Sequence, residues 1–373
     1  MKIVTVVGAR PQFIKASAIS RAIVQYNERY PTKAIKEILL HTGQHYDEGM
    51  SAVFFDQMDI PRPAYELGIL EKTHGAMTGK MLQQIEEVLM DEKPDLVLVY
   101  GDTNSTLAGT LAAVKIHIPV AHVEAGLRSF NMSMPEEINR IITDRVSTLL
   151  FCPTKTAERN LSNEGISEGV ILSGDVMFDA TLFYREKAKQ QYSLDRWGLY
   201  KNQYVLCTFH RAENTDKEER LESILMALRE IANDIQVVIP IHPRTKKMIQ
   251  RYKLSKHLER LRILDPVSYL EMIRLEISAK AIMTDSGGVQ KEAYFHKVPC
   301  LTIRDETEWI ETIDMGWNRL CDANKATILN AWHGLRVQNE KSKNIFTQES
   351  QPYGNGMASQ SIVGSLTSFS DLF

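Results

Sequence analysis

The strongest constraint on this chain is a recurrence. Short runs of β-branched and aliphatic residues return at intervals about one helix long, and each closes on a glycine or a polar turn. Residues 3–7, 38–40, 95–100, 120–123, 149–152 and 170–172 are such runs in the first half. Residues 204–209, 236–241, 261–264, 281–283 and 300–303 repeat the pattern in the second. Between them, apolar residues fall at helical spacing, as with Phe13, Ile14, Ala18, Ile19 and Ile23 after Pro11. Strands that are apolar throughout belong to parallel sheets covered on both faces, and parallel neighbours need helical crossovers. The spacing therefore predicts an α/β protein built from parallel sheets.

At 373 residues the chain exceeds one ordinary core, so two domains are expected. The alternation predicts a first Rossmann-like domain over residues 1–172 and a second over 203–355. A polar linker region over about 173–202 would join them, and a tail over 356–373 would hold a glycine-rich turn and a short helix. Two such domains facing a cleft make the GT-B arrangement, in which nucleotide sugars commonly bind; this step is an analogy between folds. A net charge of −3 argues against nucleic-acid binding through bulk charge. No apolar run nears the roughly 20 residues of a membrane span. The opening M-K-I-V-T-V-V-G-A-R-P meets Arg10 and Pro11 too soon for a signal peptide and reads as a first strand. Four scattered cysteines fit buried thiols in a reducing cytoplasm. With no C-x-x-C, no D-x-D and no zinc-type histidine spacing, a metal is not indicated.

The chemistry-bearing residues gather where strands end. Y-G-D-T-N-S-T places Asp102 after a strand, either as a helix cap or as a ligand-facing acid. Glu124, in H-V-E-A-G-L-R, follows a buried-type strand, where an acid must be paired or used; Arg128 is the nearby candidate partner. Glu136 and Glu137 follow Pro135, a place that also suits first-turn acids favoured by the helix dipole. Arg10 and Lys15 follow the first strand near a helix start, suited to a phosphate or a sugar or simply to the surface. A dinucleotide fingerprint needs three glycines there and finds only Gly8, so no such cofactor is expected.

In the second half, His210, Arg211 and Glu213 follow a strand in T-F-H-R-A-E-N, and I-H-P-R repeats the placement with His242 and Arg244. T-D-S-G-G-V-Q-K-E offers Ser286, Gly287 and Gly288 at a helix start, where small residues let a diphosphate approach free N–H groups. Glu292, one turn on, is placed to accept hydrogen bonds from a ribose.

Taken together, G-A-R-P-Q-F-I-K, G-D-T-N-S-T-L-A-G, H-V-E-A-G-L-R, M-P-E-E-I-N-R, H-R-A-E-N and D-S-G-G-V-Q-K-E make the chain resemble the non-hydrolysing UDP-N-acetylglucosamine 2-epimerase family over nearly its whole length. The resemblance implies inversion at C2 of a UDP-linked 2-acetamido sugar. UDP would leave by anti elimination, giving a 2-acetamidoglycal, and add back on the opposite face. It implies Asp102, Glu124, Glu136 and His210 as the catalytic set. Arg10, Lys15, Ser286, Gly288 and Glu292 match the substrate-binding set, with Arg211, His242, Gly287, Arg304 and Trp309 as further candidate contacts. It also implies a homodimer and no cofactor.

Departures narrow the branch. Enzymes of this family acting on UDP-GlcNAc usually carry T-T-E-R-P-E where this chain has E-T-E-W-I-E, so Trp309 replaces an arginine. Ala212 stands where a second arginine commonly follows the histidine, and Thr73-His74-Gly75 replaces the R-Q pair of a regulatory UDP-GlcNAc site. The blocks T-H-G-x-M-T-G, R-S-F-N-M, G-D-V-M and E-T-E-W are similar to the branch acting on UDP-2,3-diacetamido-2,3-dideoxy-glucuronate, whose products enter O-antigen or capsule. UDP-GlcNAc is the alternative substrate. A hydrolysing epimerase, a glycosyltransferase and a non-catalytic UDP-sugar sensor are the alternative functions.

Overall fold

The computed structural model describes residues 1–44, 55, 58–341 and 351–370. Residues 342–350 of the expected second domain and 371–373 of the tail lie outside the described residues. The chain forms two compact units, one of Met1–Ala180 with Gln351–Phe373 and one of Thr181–Ser350.

The first unit carries seven parallel strands: β1 (Lys2–Val7), β2 (Lys36–His41), β3 (Tyr65–Glu66), β4 (Leu96–Tyr100), β5 (Val120–Val123), β6 (Leu149–Cys152) and β7 (Val170–Leu172). Their order is β3-β2-β1-β4-β5-β6-β7. The chain winds outward from β1 in one direction and from β4 in the other, so the β1/β4 boundary is a topological switch point, where a crevice opens at the carboxyl ends. Val4 and Val6 of β1 and Val97 and Val99 of β4 point to one face, in a core with Ile85, Leu89 and Ala112.

The second unit repeats the plan with β8 (Tyr204–Thr208), β9 (Gln236–Pro240), β10 (Arg262–Leu264), β11 (Ala281–Thr284), β12 (Cys300–Thr302) and β13 (Asn318–Leu320). All pairs are parallel, in the order β10-β9-β8-β11-β12-β13, and the switch point lies between β8 and β11. The strands bury both faces. Val205, Cys207, Val237 and Ile239 enter one core, while Tyr204, Leu206, Val238 and Ile282 enter the other.

Two strands went unforeseen, β3 and β13. Each closes a sheet edge with a short, largely polar sequence, Y-E and N-R-L, that writes no apolar run. The segment 351–355, expected with the second domain, belongs to the first unit. Asp175 N–H donates to Tyr353 O at 3.0 Å, and the tail helix Ala358–Ser370 packs on helix Arg10–Arg29. The Asp179 carboxylate caps that tail helix, accepting from the N–H groups of Ala358 (3.1 Å) and Ser359 (2.8 Å). Such a return over about 180 residues leaves no local mark in the sequence.

Candidate functional site

In the first unit the site grows from the ends of β1 and β4. Gly8 must be glycine, because a Cβ there would lie 2.1 Å from Ser105 Oγ and 2.2 Å from Thr42 Oγ1. The Gln12 amide ties the two strand ends together. Its oxygen accepts from Gly8 N (2.8 Å) and Ala9 N (3.0 Å), and its nitrogen donates to Tyr100 O (2.8 Å) and Thr103 Oγ1 (2.9 Å). Arg10, half-buried, opens the helix that carries Gln12 and Lys15.

Asp102 is not the cap of the next helix. Thr103 has that role, accepting from Thr106 N at 3.3 Å, which leaves the Asp102 carboxylate to receive Arg140 Nη2 at 2.6 Å. Glu124 is buried and takes a backbone φ of +75°, a conformation a non-glycine residue adopts only at a cost of order 1–3 kcal/mol, and one that gathers at functional sites. Its partner is Lys15, not Arg128. Lys15 Nζ pairs with Glu124 Oε2, while the Arg128 guanidinium goes to Asp144 and Glu164. The pair lies against Gly101, where an added Cβ would be 3.1 Å from Lys15 Nζ and 3.4 Å from Glu124 Oε2. Lys15 and Glu124 thus meet beside the residue preceding Asp102.

The two acids after Pro135 divide their work. Glu137 is buried and binds Ser129 N (2.9 Å), Phe130 N (2.9 Å) and Arg140 Nη1 (2.7 Å), which fixes the R-S-F-N loop. Glu136 stands exposed on the same first turn and makes no hydrogen bond or ion pair among the described residues. The structure therefore pairs Lys15 with Glu124 against Gly101, the residue before Asp102, and leaves Glu136 open to solvent, in the helix whose Arg140 holds Asp102.

In the second unit the ends of β8 and β11 form the matching edge. Asp285, fully buried after β11, accepts from His210 N (3.0 Å), Arg211 N (3.0 Å) and Asn214 Nδ2 (3.1 Å), so one carboxylate shapes the whole H-R-A-E-N turn. This holds the His210 ring half-exposed, its Nδ1 3.6 Å from Asp285 Oδ1. His242 stacks beside it, ring centroids 5.3 Å apart. Ser286 opens helix Gly287–His296 without a side-chain cap, and Gly288 is exposed on its first turn. At Gly287 a Cβ would fall 2.5 Å from Glu308 Oε1 and 3.2 Å from Trp309 Nε1, so the E-T-E-W loop packs directly on this helix start. Glu292 is buried one turn further along.

Arg304 and Trp309 are both buried. Arg304 is 2% exposed and donates to Glu308 Oε2 at 3.0 Å. Trp309 is 5% exposed, with Lys291 Nζ 3.9 Å from its ring centroid in a buried cation–π contact. Sequence reasoning passed over Gln12, Asp285 and Lys291, although all three stand inside motifs it had singled out. A motif shows which turn matters, not which of its side chains turn inward.

Chemically, the first unit offers carboxylates with a buried lysine, a set suited to moving a proton at a weakly acidic carbon. The second offers an open helix N-terminus beside a histidine, suited to a diphosphate. Among the described residues no group of His, Cys, Asp and Glu could hold a metal ion, and no helix is long and apolar enough to cross a membrane.

A sequence model of the family described as UDP-N-acetylglucosamine 2-epimerase matches residues 28–367. The chain is 54% identical to a UDP-N-acetylglucosamine 2-epimerase homolog of Methanococcus maripaludis, over 88% of this chain and 91% of that one. It is 50% identical to the UDP-2,3-diacetamido-2,3-dideoxy-D-glucuronate 2-epimerase of Pseudomonas aeruginosa, over 97% and 98%. The crystal structure of Methanocaldococcus jannaschii UDP-GlcNAc 2-epimerase in complex with UDP-GlcNAc and UDP superposes with a TM-score of 0.87 at 43% identity, covering 99% of this chain and all of that one.

Proposed function

Because the chain belongs to the UDP-N-acetylglucosamine 2-epimerase family of isomerases, in its non-hydrolysing type, we propose that it inverts C2 of UDP-2,3-diacetamido-2,3-dideoxy-glucuronate, giving the manno form for O-antigen or capsule. The reaction class is carried by one observation: the buried Lys15–Glu124 pair packed against Gly101, beside Asp102. A carboxylate takes the C2 proton as the C1–O bond breaks and UDP departs with the bonding electrons. UDP then adds back to C1 of the 2-acetamidoglycal while a second acid returns a proton to the other face of C2. Asp102, Glu124 and Glu136 are the candidates for these transfers, and His210 with the Ser286–Gly288 turn is suited to the diphosphate charge.

The substrate assignment is supported by the E-T-E-W block and the Pseudomonas relative. The Methanocaldococcus relative, named a UDP-N-acetylglucosamine 2-epimerase at 44% identity, supports UDP-GlcNAc as the second reading. Incubation with each UDP-sugar in D2O, followed by NMR at C2, tests both. Deuterium at C2 with UDP still attached is expected, falling at least about 100-fold in Asp102→Asn. Accumulating free sugar would make the protein a hydrolysing epimerase, and no exchange with any 2-acetamido UDP-sugar would leave it a sensor. Trp309→Arg is expected to shift the ratio of kcat/KM between the uronate and UDP-GlcNAc. An unchanged ratio removes Trp309 from the selection of substrate.

A further inference from the structure

One buried network links the turns that carry the two best-placed acids. His122, on β5, is fully buried. Its Nε2 lies 2.7 Å from the carbonyl oxygen of Gly101, an atom that only accepts, so Nε2 carries a hydrogen. Its Nδ1 lies 2.7 Å from Asp144 Oδ1. The other Asp144 oxygen is already taken, by Gly126 N at 3.1 Å and Arg128 Nη1 at 2.7 Å. With Oδ2 accepting two donors, one of them a guanidinium, and the carboxyl's pKa held below the usual carboxylate range, Asp144 is ionised and can only accept, so Nδ1 carries a hydrogen as well.

We propose that His122 is a doubly donating imidazolium and the positioning residue that locks the Asp102 turn to the Glu124 turn. Arg128 also forks onto the exposed Glu164 at 2.7 and 2.8 Å, which fixes the guanidinium that donates to Asp144.

The remaining neighbours agree. Burial alone would raise the Asp144 carboxyl, but His122 and Arg128 outweigh it and hold it below the usual carboxylate range. Cys152 on β6 is pushed up to about 12 by burial and by the Asp144 charge, so it stays a neutral thiol. The network's two backbone anchors matter for the reaction. Gly101 immediately precedes Asp102, and Gly126 follows the strained Glu124 by two residues. This ion pair therefore braces the two turns alongside the backbone bond from Gly101 N to Val123 O at 3.0 Å, and this role rests on the reading that the acids act on the sugar.

Ring nitrogens of the 15N-labelled, full-length protein report the charge directly. At pH 7.5 both His122 nitrogens are expected to show the imidazolium shift; a neutral tautomer overturns the assignment, with no variant needed. Asp144→Asn is expected to convert the signal to a neutral tautomer. It should lower kcat about 100-fold, the cost of a misplacement near 1 Å. UDP affinity by calorimetry should stay within about twofold, because that contact belongs to the other unit. Unchanged kcat, or loss of UDP affinity in step with kcat, overturns the positioning role. Should Asp144→Asn not fold, His122→Gln, which keeps one donor toward Gly101, is read by the same criteria. Wild-type protein with the imidazolium signal but no C2 exchange overturns the functional reading and leaves the charge assignment standing.

Discussion

His242 accepts the Arg244 N–H on its Nδ1, so that nitrogen is bare. Partial burial, then the positive charge of His210 and Arg244, holds its pKa below the ordinary histidine range. It is therefore expected to titrate below about 6.5 and to move upward in His210→Asn, followed by proton NMR. No movement would mean that the two rings do not sense each other. At this scale the sequence was legible in part. Asp102, Glu124 and His210 were chosen because an acid or imidazole beside a buried strand needs a purpose, and the structure places all three at strand ends. The partner of Glu124 was misjudged for a physical reason: Arg128 is four residues away along the chain, whereas Lys15 is 109 away and reaches it through the β1–β4 pairing. The choice between Glu136 and Glu137 turns on which helix face is inward, which two adjacent acids do not reveal.

Helix Pro135–Val146 is the element that gathers these effects. Glu137, Arg140 and Asp144, spaced by three and four, share its buried face, and each holds a different part of the site. The pattern is visible in the sequence, yet a row of charged residues reads as a solvated face. Only the cover of β5 and the loops beyond it turns the row inward. The folded-state depression of the Asp144 carboxyl has a signed consequence for stability. Its contribution is fully present above the unfolded value, about 4, and fades as pH falls through the lower folded value. Asp144→Asn is expected to cost about 3 kcal/mol in urea unfolding at pH 6. That difference should shrink when both proteins are measured near pH 3; a gap equal at the two pH values would show that the charge of Asp144 is not what stabilises the fold. The interior strands were readable because full burial writes a continuous apolar run; the edge strands β3 and β13 were not, since Y-E and N-R-L are mostly polar, whereas the equally short edge β7 keeps the apolar V-I-L.

At the scale of the molecule, the alternation of strands and helices foretold two parallel α/β units but not where the chain leaves one and regains the other. Helix Val176–Gln191 starts in the first unit and ends in the second, and Gln351 onward returns to the first. Ile362, Val363 and Leu366 of the tail helix are buried there. Deleting residues 351–373 is therefore expected to speed amide exchange in helix Arg10–Arg29 and to leave β8–β13 as protected as before. Equal loss of protection in both sheets would mean that the units do not unfold separately. The hydrogen bond between Asp175 and Tyr353 brings the outgoing and returning strands of chain to one point. Viewed as gene architecture, residues 181–350 form a cassette whose two junctions meet in space. Recombination between relatives could then exchange the whole cassette at a single structural seam, leaving the seven-stranded unit uncut.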